Sequence, residues 1–312
     1  MQILNRETTI NFMSKRRIAF IGSMILLLVS IGSIATRGLN LGVDFTGGTL
    51  VEIGYQTAVE PATVRQVIQQ AGFEDAMVQS YGTARDVLIR LAPQSDMSSS
   101  EISTKLLDAL YKAYPDQVEM RRVEFVGPQI GDELTEDGGL AMLIALLCIL
   151  VYVSLRFEKR FALGSVAALI HDVIITIGFF SLFQVEFDLS VLAAVLAVIG
   201  YSLNDTIVVF DRIRENFRRM RKAETIEVMN SAINQMLSRT IITSLTTLLV
   251  LTALFFLGGE IIHGFATALI VGIFVGTYSS IYIASAAVLM LGVSKQDLMP
   301  VEKEGAVVDD RP

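Results

Sequence analysis

The sequence predicts a polytopic α-helical membrane protein: a six-transmembrane-helix bundle with a small α+β ferredoxin-like extracytoplasmic domain between helices 1 and 2. Three observations carry this. Six uncharged runs are long enough to cross a bilayer, basic residues concentrate in alternate connecting segments, and the stretch 37–137 switches between strand and helix periodicity. Composition agrees, with 52% hydrophobic residues and a mean hydropathy of +0.56.

Residues 1–17 form a cytoplasmic N-terminal segment ending in Lys15, Arg16 and Arg17, and 18–36 form the first span. About 20 residues at roughly 1.5 Å each cross a hydrocarbon core about 30 Å thick. A cleaved leader is the alternative for this run, because Ser33-Ile34-Ala35 would suit a peptidase. The run exceeds the roughly 7–15 residues of such leaders and five more spans follow, so an uncleaved anchor is expected.

Residues 37–137 read strand, helix, strand, strand, helix, strand. Thr49 to Tyr55, Met77 to Tyr81, Val87 to Leu91 and Val118 to Val126 are the strands. Pro61 to Gln70 starts with a helix-initiating proline, and Ser100 to Tyr114 is amphipathic through Ile102, Leu106, Leu107 and Leu110. That order is the ferredoxin-like split βαβ. The domain has no His, no Cys and no serine in a nucleophile-elbow context, so it is expected to bind or brace rather than catalyse. Both of its junctions are glycine-rich: Gly42, Gly47 and Gly48 on one side, Gly127, Pro128 and Gly131 on the other. Tight turns are one reading of these residues and hinges are the sharper one. Asp44 within the first junction either caps a turn or guards a path.

The remaining spans are expected at 138–155, 161–185, 189–210, 240–259 and 266–291. A cytoplasmic amphipathic segment occupies 211–239 and a polar, disordered tail 292–312. Lys and Arg mark the cytoplasmic side, and they populate the segment before span one, the loop at Arg156 to Arg160 and the stretch Arg212 to Lys222. The loops at 184–188 and 258–264 hold none, so both termini face the cytoplasm. Of the 25 basic residues, 17 fall in cytoplasmic segments, so the net charge of −7 and a pI near 5 do not speak for a nucleic-acid partner. The single cysteine, Cys148, sits within span two and leaves the outer domain without a disulfide. The stretch 211–239 begins basic and then places Ile226, Met229, Ile233 and Leu237 at helical spacing, which predicts an interfacial helix lying on anionic membrane lipid. In the last span Gly272 and Gly276 form a Gly-x-x-x-Gly pair suited to close helix contact.

Spans three and four each hold one acid: Asp172 directly after His171, and Asp205 directly after Asn204. A charged side chain in hydrocarbon costs at least about 2.5 kcal/mol, so such a group has an internal partner or a wet pathway. Ion or proton coupling is therefore the first functional expectation. Asp205 lies sixteen residues into span four, roughly 24 Å along the helix and in the cytoplasmic half. Arg239, at the start of span five, has a compatible depth and a side chain long enough to meet an acid. Arg239, Thr243 and Thr247 share one helix face, while Tyr201 and Ser202 are expected to flank Asp205 on its own face, so two polar stripes would line a crevice. His171 and Asp172 fall near the midplane and, being adjacent, point to different faces. The plainer alternatives are a static Asp205–Arg239 ion pair, hydroxyls bonded to helix backbone and a structural His171–Asp172 hydrogen bond. No metal cluster, cofactor fingerprint or phosphate loop appears, which leaves transmembrane potential as the energy source. A half-transporter exporting lipid or drug and a non-transporting scaffold remain as rivals. An intramembrane protease is disfavoured, because neither acid sits in a Gly-x-Gly-Asp context.

Three segments together resemble one family: Gly42-Val43-Asp44-Phe45-Thr46-Gly47-Gly48, Val126-Gly127-Pro128-Gln129-Ile130-Gly131, and the run from Tyr201 to Arg212. The chain is similar over nearly its whole length to the SecF subunits of bacterial SecD/SecF protein-export complexes, within the resistance-nodulation-division superfamily. The resemblance implies an inner-membrane accessory that uses the proton-motive force to help draw unfolded preproteins out of the SecYEG channel. It further implies Asp205 as the coupling aspartate, Arg239 as its arginine partner, SecD as supplier of six more spans, and SecYEG and YajC as neighbours. No cofactor is implied.

Overall fold

The computed structural model describes residues 8–93, 97, 99–115 and 117–293, so the tail expected to be disordered lies outside the described residues apart from its first two positions. Among the described residues six helices are long and apolar enough to cross a membrane, spanning Met13–Arg37, Gln129–Arg156, Lys159–Phe183, Leu189–Arg219, Thr225–Leu257 and Ile262–Met290.

In chain order, α1 (Arg16–Arg37) is followed by β1 (Asn40–Leu41) and the single turn α2 (Val43–Thr46). The outer domain then runs β2 (Gly48–Tyr55), α3 (Pro61–Gln70), β3 (Met77–Tyr81), β4 (Thr83–Leu91), α4 (Ser99–Ala113) and β5 (Val118–Val126). Its sheet is antiparallel in the order β3-β4-β2-β5, the ferredoxin-like arrangement. Pro61 opens α3 at a position where a missing N–H costs nothing. One face of the sheet, through Val51, Ile53, Ile89 and Leu91, buries Val64 and Ile68 of α3 and Ile102, Leu106 and Leu110 of α4, giving this domain a core of its own. Glycine is required at position 48: φ is +124° there, and a Cβ would lie 2.4 Å from the Leu91 carbonyl oxygen.

The bundle continues with α5 (Pro128–Arg156), α6 (Lys159–Phe183), β6 (Glu186–Phe187), α7 (Leu189–Arg219), α8 (Thr225–Leu257) and α9 (Glu260–Ser279). A π-helical turn over Ser280–Ala284 and α10 (Ser285–Met290) complete the sixth span. Small residues set the closest packing, as they do where lipid supplies no hydrophobic drive between helices. A Cβ on Gly272 would lie 2.2 Å from Val198 Cγ2, one on Gly276 3.0 Å from Ser202 Cβ, and one on Gly178 2.2 Å from Ser30 Cβ. The Gly-x-x-x-Gly pair thus seats the sixth span on α7. Rows of exposed apolar residues, such as Leu143, Leu147 and Val151 on α5 and Leu249, Val250 and Phe256 on α8, remain outside.

The expected interfacial helix at 211–239 is corrected. Its residues are continuations of α7 and α8, joined by a turn at 220–224. Met229, Ile233 and Leu237 are buried in the bundle core that also holds Ile213 and Phe217 of α7, and only Ile226 remains exposed. The N-terminal segment lies alongside: Asn234 Oδ1 accepts from the Ile10 amide at 2.9 Å and Asn230 Oδ1 from the Met13 amide at 2.9 Å. The apolar stripe is real, but protein covers it rather than lipid. Similarly, α5 starts ten residues before the expected start of span two, because hydropathy marks the part of a helix suited to hydrocarbon and not where its hydrogen bonding begins.

Candidate functional site

Asp205 lies on α7 and is 8% exposed. Its Oδ1 accepts from Thr240 Oγ1 at 2.8 Å and its Oδ2 from Ser280 Oγ at 2.5 Å. Thr240 comes from α8, and Ser280 opens the π turn of the sixth span, so three spans converge on one carboxylate. Single π turns are rare and recur at functional sites. Around this centre Tyr201 donates to Ser244 Oγ at 3.4 Å, and Ser244 meets Thr277 Oγ1 at 2.7 Å.

The expected arginine stands off from the acid. Among the described residues no ion pair joins Arg239 to Asp205, and Arg239 is exposed on α8. The stripe Arg239, Thr243, Thr247 does share a face, but not the face turned to Asp205. Thr243 and Thr247 donate to their own helix, at Arg239 O and Thr243 O. One residue is about 100° around a helix, and the face that meets α7 is the next one, Thr240 and Ser244. Asn204 is likewise exposed, next to Asp205 in sequence but turned elsewhere.

Ser202 is also placed differently from expectation. It donates to Asp172 Oδ2 at 2.5 Å, while His171 Nδ1 meets Asp172 Oδ1 at 2.8 Å. The two neighbours expected on different faces are thus brought together, their side chains folding toward one another. Sequence reasoning missed Thr240, Ser244, Thr277 and Ser280. The available signal was hydroxyl pairs at helical spacing in spans five and six.

At the outer end the glycine-rich junction grips the membrane domain. β1 pairs in parallel with β6, joining Asn40 to Glu186 and Leu41 to Phe187, and the Gly42 amide donates to Phe187 O at 2.9 Å. Asp44 Oδ2 accepts from the Leu189 amide at 2.9 Å and Asp188 Oδ1 from the Val191 amide at 2.7 Å, so two carboxylates cap the start of α7. Arg90, from β4 of the outer domain, forms an ion pair with Glu186 and donates to Leu41 O at 2.9 Å. Gly42, Gly47 and Gly131 serve turns and close approach. Gly42 faces Asp188 and Glu186, Gly47 has φ +68°, and a Cβ on Gly131 would lie 2.8 Å from Phe45 O. Gly127 precedes Pro128, the first residue of α5. Asp44 therefore caps a helix.

Burial pushes the Glu186 carboxyl above the usual glutamate range; Arg90 opposes the rise, while Asp188 and Asp44 add to it. Since the folded value is raised, this group favours folding below the ordinary glutamate range and loses that contribution as pH rises through the raised value. Arg90→Gln removes the opposing charge. Glu186 should then keep its proton to a higher pH than in the unmodified chain, read by carboxyl NMR titration of labelled glutamate.

Among the described residues no group of three His, Cys, Asp or Glu side chains could hold a metal ion.

Among known proteins, the family described as "Protein export membrane protein SecD/SecF, C-terminal" matches residues 106–294, and the "SecD/SecF GG Motif" matches residues 32–59. The chain is 56% identical to the protein translocase subunit SecF of Vibrio alginolyticus over 100% of its own length and 99% of the relative's. It is 52% identical to that of Pseudomonas aeruginosa, covering 97% and 98%. Among solved structures, the crystal structure of SecDF, a translocon-associated membrane protein from Thermus thermophilus, is similar with a TM-score of 0.83 at 40% identity. That match covers 93% of this chain and 39% of the longer SecDF chain.

Proposed function

The chain belongs to the SecD/SecF family of protein export membrane proteins, an inner-membrane multi-pass accessory of Sec translocation, and we propose that it couples proton movement through Asp205 to preprotein export. One observation carries this reading: a carboxyl buried in an apolar bundle is held by two hydroxyls and, among the described residues, by no ion pair. A hydroxyl donates to a carboxylate and equally accepts from a carboxylic acid. Thr240 and Ser280 can therefore stay in place while Asp205 gains or loses its proton. A guanidinium locked onto it would hold it ionised. The scaffold alternative rests on such a locked pair, and the two hydroxyl contacts favour the coupling reading over it.

Arg239, one residue before Thr240, is the charge available to approach Asp205 when α8 turns. Movement of one charge through the membrane field yields about 2.3 kcal/mol per 100 mV. Asn204, Arg239 and Thr243 are exposed at bilayer depth, where polar groups do not face lipid, so a second protein covers them. SecD is the partner that fits, since the similar SecDF chain carries a large part that this chain lacks. In this reading both termini face the cytoplasm, SecYEG and YajC are neighbours, and the cargo is unfolded preprotein. The test is preprotein export into vesicles holding the assembled complex, with an imposed proton gradient and again after an uncoupler. The gradient should accelerate export, and an uncoupler without effect removes the proposal.

A further inference from the structure

His171 and Asp172 are 4% and 1% exposed, in the apolar interior between α6, α7 and the sixth span, and the coupling step at Asp205 does not use them. Both Asp172 oxygens are occupied, Oδ1 by His171 Nδ1 and Oδ2 by Ser202 Oγ. The second ring nitrogen, His171 Nε2, is buried without a partner, and so are Thr206 Oγ1 and Ser279 Oγ. Thr206 and Ser279 are 1% and 0% exposed. An unsatisfied buried polar atom costs about 1–3 kcal/mol, and buried water is the usual remedy.

The helix register places two of these atoms at the level of Asp205, about one turn of α7 beyond Ser202. Gly272 rests on Val198 and Gly276 on Ser202, so the sixth span and α7 advance in step. The next step sets Ser279 and Ser280 beside Asp205 and Thr206, and the Ser280–Asp205 hydrogen bond agrees. One side of α7 thus carries Ser202, bonded to Asp172, then Thr206, with Asp205 between them in sequence.

We propose that His171, Asp172 and Ser202 form a second proton-holding site, hydrated at His171 Nε2 and linked to Asp205 through water held by Thr206 and Ser279. Loading takes one proton from water onto His171 Nε2 while the Nδ1 proton passes to Asp172 Oδ1, leaving a neutral imidazole and a carboxylic acid, and unloading reverses both transfers. The other titratable groups at this level are engaged elsewhere. Tyr278 is bonded to Ala19 O and Ser23, Tyr201 to Ser244, and Tyr282 packs against Phe12 and Tyr278. The link to Asp205 rests on the coupling reading given above, whereas the existence of the site does not.

The test is infrared difference spectroscopy of the complete complex in lipid as pH is lowered, which reads the C=O band of each buried carboxyl on protonation. Asp172→Asn should lose one pH-dependent band and Asp205→Asn a different one. An Asp172→Asn titration superimposable on that of the unmodified complex overturns the proposal, even where Asp205→Asn loses its band. Loss of the Asp172 band with no band assignable to Asp205 keeps this site and removes the coupling reading instead. Should Asp172→Asn fail to assemble, Ser202→Ala and His171→Gln each remove one contact to Asp172. Each should shift or remove the Asp172 C=O band relative to the unmodified complex; no change in either overturns the proposal.

Discussion

Asp205→Asn in the assembled complex is expected to abolish gradient-stimulated export while leaving the bundle folded. Asparagine has nearly the same shape. Its carbonyl can accept from Thr240 as Oδ1 does, and its amide can donate to Ser280 Oγ, which accepts as readily as it donates. Packing among α7, α8 and the sixth span is therefore preserved, and what is lost is a proton that can leave. Export should fall to the rate seen with an uncoupler, with complex yield unchanged. The measurement is preprotein export in vesicles with and without an imposed gradient, alongside the amount of assembled complex. A gradient response equal to that of the unmodified complex would mean that the coupling proton travels elsewhere. Thr240→Val should be milder, since Ser280 still holds the other oxygen.

Gly272→Leu should be at least as damaging, by a different route. A Cβ there would sit 2.2 Å from Val198 Cγ2 and 2.6 Å from Cγ1, so the sixth span has to move away from α7. Overpacking of this kind costs about 1–3 kcal/mol or more. Displacement also pulls Ser280 away from Asp205, so activity should be lost even in the fraction that assembles. Gly200 is the control, because a Cβ there would meet nothing within 4 Å and Gly200→Ala should be tolerated. Pairing Gly272→Ala with Val198→Gly restores the space and should recover assembly, as measured by thermal stability in detergent. Recovery failing in the pair, with Gly200→Ala normal, would refute this packing account.

Much of this architecture could be read from residues alone, and the failures share a cause. Pro61 and the alternation of Thr49 to Tyr55 located α3 and β2 because propensity and periodicity are local signals. Charge-free runs located six spans for the same reason. The ends of α7 and α8 were not legible. Arg212 to Arg219 are charged, which ends a hydropathy window but not a helix. The hydroxyls bonded to Asp205 were missed because attraction between opposite charges singled out Arg239, whereas the rotation of α8 against α7 turns Thr240 toward the acid. That rotation depends on packing between distant segments, and no local pattern records it. The pairing of β1 with β6 was invisible for a related reason: two-residue strands carry no period, and 144 positions separate Asn40 from its hydrogen-bonded neighbour Gln184.

The Arg90 grip and the Asp44 cap have a mechanical meaning. They fasten the outer domain to the first turn of the rod that bears Asp205 roughly 24 Å further in. A pull on that domain would be delivered as tilt or torque on α7, and so to the hydroxyls facing the acid. On the coupling reading proposed above, linkage would run both ways: load outside would alter proton occupancy within, and proton occupancy within would alter how the domain is held.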